Sequence, residues 1–177
     1  GEKKHATLSM LTCALLVAQV VLCFNAQPAE AFAGLYTATA AAQVMKVILT
    51  AGAYIVVVMA QSWIEREDVL RKEGEFYELI ISTLLGMYMM ISSGHFLMFF
   101  LGLEMASVPM ACLVAFDKYK KISAEGAAKF ILTATFSSGV MLYGISFLYG
   151  ACGTLYFDDM AAKISATPLT IMGLVFF

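Results

Sequence analysis

Glu104 is a carboxylate without charged company: the apolar run from Phe96 to Phe116 holds no other Asp, Glu, Lys or Arg. An ionisable group near the middle of a bilayer costs roughly 2.5–3.5 kcal/mol on insertion scales, so such a residue is read first as functional, with a partner to be found. Two routes lower that cost. Holding any glutamate side chain neutral at pH 7 costs about 3.7 kcal/mol relative to solution, whereas a lysine about 4 Å away returns about 4 kcal/mol at an effective dielectric near 20. The two routes nearly balance, so a small rearrangement can switch the group between charged and neutral, which is what a proton relay requires.

Other residues offer less chemistry. Lys129, in the next apolar run, is the nearest candidate cation. His95 stands at the turn before the Glu104 run and is expected to cap a helix or meet solvent, and His5 flanks Lys3 and Lys4. Cys13, Cys23, Cys112 and Cys152 are spread through apolar segments with no CxxC and no His/Cys cluster. Neither zinc nor a disulfide framework is indicated, and each is expected to be a small buried hydrophobe. No Ser/His/Asp set, phosphate loop, HExxH or basic aromatic patch is present, so chemistry on a bound substrate, a metal site and nucleic-acid binding have no support.

Helices must position these groups. The chain is 61% hydrophobic and 14% charged, with a mean hydropathy of +0.83, beyond the apolar share of soluble domains. Apolar segments at residues 6–25, 42–63, 77–93, 95–116 and 125–151 approach the length of about 20 residues that spans a bilayer, while 167–177 is too short to cross. In hydrocarbon every backbone polar group needs an internal partner, which makes these segments helices. The run after GEKKHA is too long for a signal peptide. The expected fold is all-α, a single membrane domain over residues 1–177 with five complete helices and a truncated sixth.

Basic residues orient the bundle. Lys3, Lys4, Arg66, Arg71, Lys72, Lys118, Lys120 and Lys121 fall on one side, and only Lys163 falls on the other, with Lys46 and Lys129 set just inside helix ends. The first side is therefore cytoplasmic, together with the N-terminus. The stretch WIEREDVLRKEGEFYE reads as a solvated cytoplasmic connection able to offer a charged docking site, NAQPAEAFAGLYTATAAA as a long outer loop, and DDMAAKIS as a short interfacial segment.

On these boundaries Glu104 lies near the centre of its helix, and Lys129 sits about 12 Å closer to the cytoplasmic end. Side chains lean toward their own helix N-termini, so on antiparallel neighbours these two lean apart, and a water bridge is expected rather than a direct ion pair. Gly102 with Ala106, and Ala134 with Ser138, have the small-xxx-small spacing that lets membrane helices approach closely. Pro109 leaves the Met105 carbonyl without its usual donor. Ser137 and Ser138 could supply hydroxyls at mid-depth.

The block from Glu75 to Phe116, EFYELIISTLLGMYMMISSGHFLMFFLGLEMASVPMACLVAF, resembles the fourth and fifth transmembrane helices of the N subunit of bacterial NADH:quinone oxidoreductase, respiratory complex I, whose mitochondrial counterpart is NADH dehydrogenase subunit 2. Ser123–Leu155 looks like the sixth helix of that family, with AAKF, FSSG and LYG in order, and QVMKVILTAGA at Gln43–Ala53 is similar to its third. The resemblance implies an antiporter-like, membrane-arm subunit of a translocase that contributes to proton pumping while electrons pass from NADH to quinone elsewhere. It carries a proton-channel role onto Glu104 of LGLE and a relay role onto Lys129 of AAKF; Lys46 matches a family position to which no role is attached. It also implies that the chain corresponds to about the second to early seventh helices of a longer subunit, and that the lysine partner of Glu104 follows Phe177.

Further expectations rest on the same resemblance. The complex uses NADH, FMN, iron–sulfur clusters and quinone, but no cofactor or redox site is expected in this chain. Its partners are other membrane-arm subunits, the lipid bilayer, protons and water, in a bacterial inner membrane rather than a mitochondrial one. A subunit of a multisubunit sodium/proton antiporter is the related alternative. A purely structural membrane subunit, with Glu104 neutralised by packing, is the alternative of another class.

Overall fold

The computed structural model describes residues 2–25, 27–64, 72–117 and 120–177, with side chains from Thr7 onward. Arg66, Arg71 and Lys118, with most of the charged connection after Trp63, lie outside the described residues, as do the side chains of Lys3, Lys4 and His5. Seven helices are seen among the described residues: α1 (Glu2–Asn25), α2 (Ala40–Ile64), α3 (Glu73–Ile91), α4 (Phe96–Val114), α5 (Lys121–Cys152), α6 (Phe157–Lys163) and α7 (Pro168–Phe176). The chain is an all-α membrane bundle apart from one small hairpin. Among the described residues, four helices are long and apolar enough to cross a bilayer: Thr7–Asn25 within α1, then α2, α4 and α5. α3 has 19 residues but carries Glu73, Glu75 and Glu78 in its first two turns, so it is not one of the four.

Local chemistry sets the ends of these helices. The Thr39 hydroxyl accepts the Ala42 N–H at 3.2 Å and starts α2. Thr167 does the same for Thr170 at 3.2 Å, with Pro168 at the first helical position of α7, where its missing N–H costs nothing. Gly153 ends α5 with φ of 69°, a left-handed conformation that glycine adopts without a Cβ penalty.

Consecutive long helices pack on one another, α1 on α2, α2 on α3, α3 on α4 and α4 on α5, and α7 returns onto α5. One core joins Leu16, Val57, Ile64, Phe76, Tyr77, Ile80, Leu84 and Phe116, with Trp63, Phe76 and Phe116 in a three-ring cluster whose centroids lie 5.6–6.0 Å apart. A second joins Phe96, Ile145, Leu148 and Met160. Met160 belongs to α6, so the segment read as interfacial includes a helix whose apolar residue plugs into the bundle. The outward faces remain apolar, as with Phe136 and Leu22, which suits lipid or further helices better than water. The expectation that every cysteine is buried holds for Cys23 alone: Cys13 and Cys152 are half-buried, and Cys112 faces outward because it stands on the exposed side of α4.

The connection expected as a long outer loop contains an antiparallel hairpin, β1 (Ala29–Ala31) and β2 (Tyr36–Ala38), in register Ala29↔Ala38 and Ala31↔Tyr36. Phe32, Ala33 and Gly34 turn it with positive φ. Thr37 N–H donates to the Ser92 carbonyl at 2.7 Å, and Gly94 N–H to that of Leu35 at 2.9 Å, so the hairpin is pinned to the α3–α4 turn.

His95 opens α4 as its N-cap, its Nδ1 accepting the Leu97 N–H at 3.1 Å while its ring meets Tyr156 edge-on at 4.7 Å. Burial holds the imidazole below its usual range, because desolvation disfavours the charged form. A folded value below the unfolded one means stability that is full above about pH 6.5 and is lost as pH falls through the folded value. Thermal denaturation of the purified protein should therefore show an acid-side loss in that window that shrinks in His95→Asn. An identical pH slope in the variant would show that His95 does not set that loss.

Candidate functional site

Glu104 is the ninth of the nineteen residues of α4, so its backbone lies within about 1.5 Å of the helix midpoint along the axis. It is half-buried. The small residues on either side of it in sequence make a close helix contact. A Cβ added at Gly102 would fall 2.7 Å from the Met90 backbone nitrogen and 2.8 Å from the Gly86 carbonyl, and one added at Gly86 would fall 2.7 Å from the Met105 carbonyl carbon. The Gly102/Ala106 spacing thus does bring backbones together, with Gly86 of α3 as the facing residue. Glu104 stands between Gly102 and Ala106 on that tightly held helix.

Among the described residues, no side chain hydrogen-bonds or ion-pairs with Glu104. One turn away, the Ser107 hydroxyl donates to the Leu103 carbonyl, and Pro109 interrupts the donor series of α4. Ser138 is buried, but its hydroxyl donates to Thr135 of its own helix at 3.2 Å, and Ser137 faces outward, so neither supplies a hydroxyl to Glu104.

Lys129 is not brought to Glu104. Its ammonium is 2.5 Å from Glu125 Oε1, one turn earlier on α5, with the lysine side chain 74% exposed. α5 starts at Lys121, four residues before the expected 125, because the Ser123 hydroxyl reaches back to the Val114 carbonyl and closes the connection. With Ser123 level with Val114, Glu104 lies about 15 Å up α4 and Lys129 about 9 Å up α5, so the offset is about 6 Å rather than 12 Å. The opposed lean of the two side chains still keeps them apart.

A second ionisable site went unrecognised in the sequence. Lys46 is only 6% exposed. Its Nζ donates to the Tyr36 hydroxyl at 2.8 Å and lies 4.9 Å from the Tyr36 ring centre and 5.9 Å from that of Tyr88. Thr50 donates to the Lys46 carbonyl at 2.6 Å and shares a short contact with the Tyr88 hydroxyl. The phenol of Tyr36, on the hairpin, is held below its ordinary range: burial would raise it, but the hydrogen bond from Lys46 and the Lys46 charge outweigh burial. Lys46 is the single charged residue of Ala40–Ile64, the same lone-charge signal that marks Glu104, and that signal could have found it.

Comparison with known proteins bears on what this arrangement does. Residues 93–177 match a family model described as NADH:quinone oxidoreductase/Mrp antiporter, transmembrane. A protein of Phocaeicola vulgatus named NADH-quinone oxidoreductase subunit N is 56% identical over 170 residues, covering 96% of this chain and 36% of the relative. A protein of the same name from Azobacteroides pseudotrichonymphae is 49% identical over 148 residues, covering 84% and 31%. The chain thus spans about a third of the length of these relatives. Among solved structures, a chain of respiratory complex I from Thermus thermophilus with bound aureothin aligns over 98% of this chain and 36% of its own, with a TM-score of 0.74 at 25% identity. A chain of an archaeal membrane-bound sulfane sulfur reductase aligns with a TM-score of 0.72 at 19% identity, covering 97% of this chain and 37% of its own, a likeness of fold alone.

Proposed function

The chain belongs to the family of NADH-quinone oxidoreductase N subunits, and from that premise we propose that it forms part of a membrane-arm subunit of proton-translocating complex I, with Glu104 as a proton-carrying group. One observation carries the reading: a lone carboxylate at the middle of an apolar helix, on a backbone held by the Gly86–Gly102 contact and without a protein partner among the described residues. Such a carboxylate takes up a proton from hydronium on one side of the bilayer, leaving water, and returns it to a base on the other. The clamp fixes the backbone, so the proton and nearby charges move while the helix stays. Lys129 acts as a relay neighbour through water, its charge shared with Glu125.

In this reading the chain places five spanning helices and the short α7 in a single membrane domain of a bacterial inner membrane, and the distribution of basic residues favours an N-terminus on the cytoplasmic side. α3 completes the count, because its three glutamates all lie in the first two turns, at the cytoplasmic end. Electron transfer from NADH through FMN and iron–sulfur clusters to quinone takes place in other subunits, so this chain contributes proton movement and no redox step. The partners are neighbouring membrane-arm subunits and lipid.

Glu104→Gln in the assembled complex separates this reading from a purely structural one. Proton pumping should fall while assembly is largely kept. Unchanged pumping with intact assembly rejects the relay, and lost assembly favours the structural role.

A further inference from the structure

Lys46 is buried away from solvent. No carboxylate pairs with it among the described residues. A buried cation is costly unless compensated, and here the compensation is aromatic and hydroxylic. Thr50 has one proton, and it is committed to the Lys46 carbonyl at 2.6 Å. The Tyr88 hydroxyl must therefore donate in its short contact with Thr50, which leaves the Tyr88 ring as what it offers to the ammonium. Tyr36 provides both a ring and an acceptor oxygen. From α1 the remaining titratable neighbour of this cluster is Cys23, which is buried. Gln43, one turn before Lys46 on α2, has a buried Nε2 with no protein partner among the described residues, so water is the partner left to it.

The cluster also has a direction. Lys46 is six residues, or about 9 Å, into α2 from the hairpin end. Tyr36 lies on β2, in the hairpin pinned to the α3–α4 turn, and is half-buried, so it stands between the ammonium and outer water. Tyr88 is two residues from Gly86, which packs against Gly102 and Ala106 of α4, the helix that carries Glu104. Lys46 and Glu104 thus stand on α2 and α4, the two helices that pack on either side of α3 in the chain order.

We propose that Lys46 and Tyr36 form a proton-exchange site on the outer side of this chain, distinct from Glu104, in which Lys46 hands its proton to water through the Tyr36 hydroxyl. The step balances without any redox change. The ammonium proton moves to the Tyr36 oxygen as the phenolic proton leaves to a water at the hairpin, giving a neutral lysine amine, an intact phenol and hydronium. A proton arriving through water beside Gln43 reloads the amine. This assignment rests on the reading of the chain as part of a proton-translocating subunit.

The test is NADH-driven proton pumping by the assembled complex in sealed vesicles, recorded against pH for Lys46→Arg, Lys46→Gln, Tyr36→Phe and Glu104→Gln. Arginine keeps the cation and its ring contacts but does not deprotonate, so Lys46→Arg should assemble normally yet move protons about tenfold more slowly or worse through this site. Lys46→Gln should match it, and Tyr36→Phe, which keeps the ring and loses the oxygen, should flatten the pH profile and slow pumping. Wild-type pumping in Lys46→Arg makes the residue a structural cation and overturns the proposal. Should both Lys46 variants fail to assemble, Tyr36→Phe decides, and an unaltered rate and pH profile there overturns it equally. Unchanged pumping in Glu104→Gln defeats the translocation reading itself, whereas impaired Glu104→Gln beside normal Lys46→Arg defeats only the outer site.

Discussion

Gly102→Leu is expected to leave almost no assembled subunit in the membrane. The position has no room even for a methyl group, since its Cβ would sit 2.7 Å from the Met90 nitrogen and 2.8 Å from the Gly86 oxygen. Both obstacles are helix backbone and cannot rotate away, so α3 and α4 must separate along their closest contact. Overpacking commonly costs about 1–3 kcal/mol and occasionally more when side chains can adjust; here the backbone must yield, against a total stability of about 5–15 kcal/mol for a typical protein. Membrane helices associate through packing rather than hydrophobic expulsion, so a lost close contact is not replaced by another driving force. Native-gel quantification of the complex should give a series in which Gly139→Ala is normal, Gly102→Ala is reduced and Gly102→Leu is nearly absent. Gly139 is the reference because its added Cβ meets nothing within 4 Å. Equal losses at Gly139 and Gly102 would contradict the clamp.

Glu104→Gln should slow proton transfer through this subunit by about tenfold or more, the lower edge of what a positioned acid–base group contributes. Glutamine keeps the length and shape of the side chain but cannot change protonation state, so the helix contact survives and the carried proton does not. Coupled NADH oxidation in sealed vesicles should fall with it, because blocked proton movement holds back the electron transfer that drives it. Glu104→Asp retains a titratable carboxyl on a stem one methylene shorter, and should recover part of the rate. A Gln variant as fast as the Asp variant would mean that titration is not what the position contributes.

Much of this was legible along the chain for physical reasons. A single carboxylate in a long apolar run is conspicuous because hydrocarbon penalises it wherever the helix packs, and Gly102 with Ala106 marks a close face by size alone. The residue that meets that face was not legible: Gly86 is one of several small residues upstream, and only the pairing of α3 with α4 selects it. Lys46 and Lys129 look alike in one dimension, each just inside a helix end. They part in space, because the hairpin folds back and sets Tyr36, ten residues before Lys46, over its ammonium, while Tyr88 reaches Thr50 from 38 residues away. Among the described residues Lys129 pairs with Glu125, one turn earlier. The hairpin itself escaped notice because AEAFAGLYTA has little of the β-branched alternation that marks strands; backbone bonds to Ser92 and Leu35 hold it instead.

Infrared difference spectroscopy of the complex during NADH oxidation tests directly whether Glu104 gains and loses a proton during turnover. A protonated-carboxyl band should appear under turnover in the wild type, shift in heavy water, and be missing from Glu104→Gln. The same band at full strength in an assembled Glu104→Gln complex would contradict the claim.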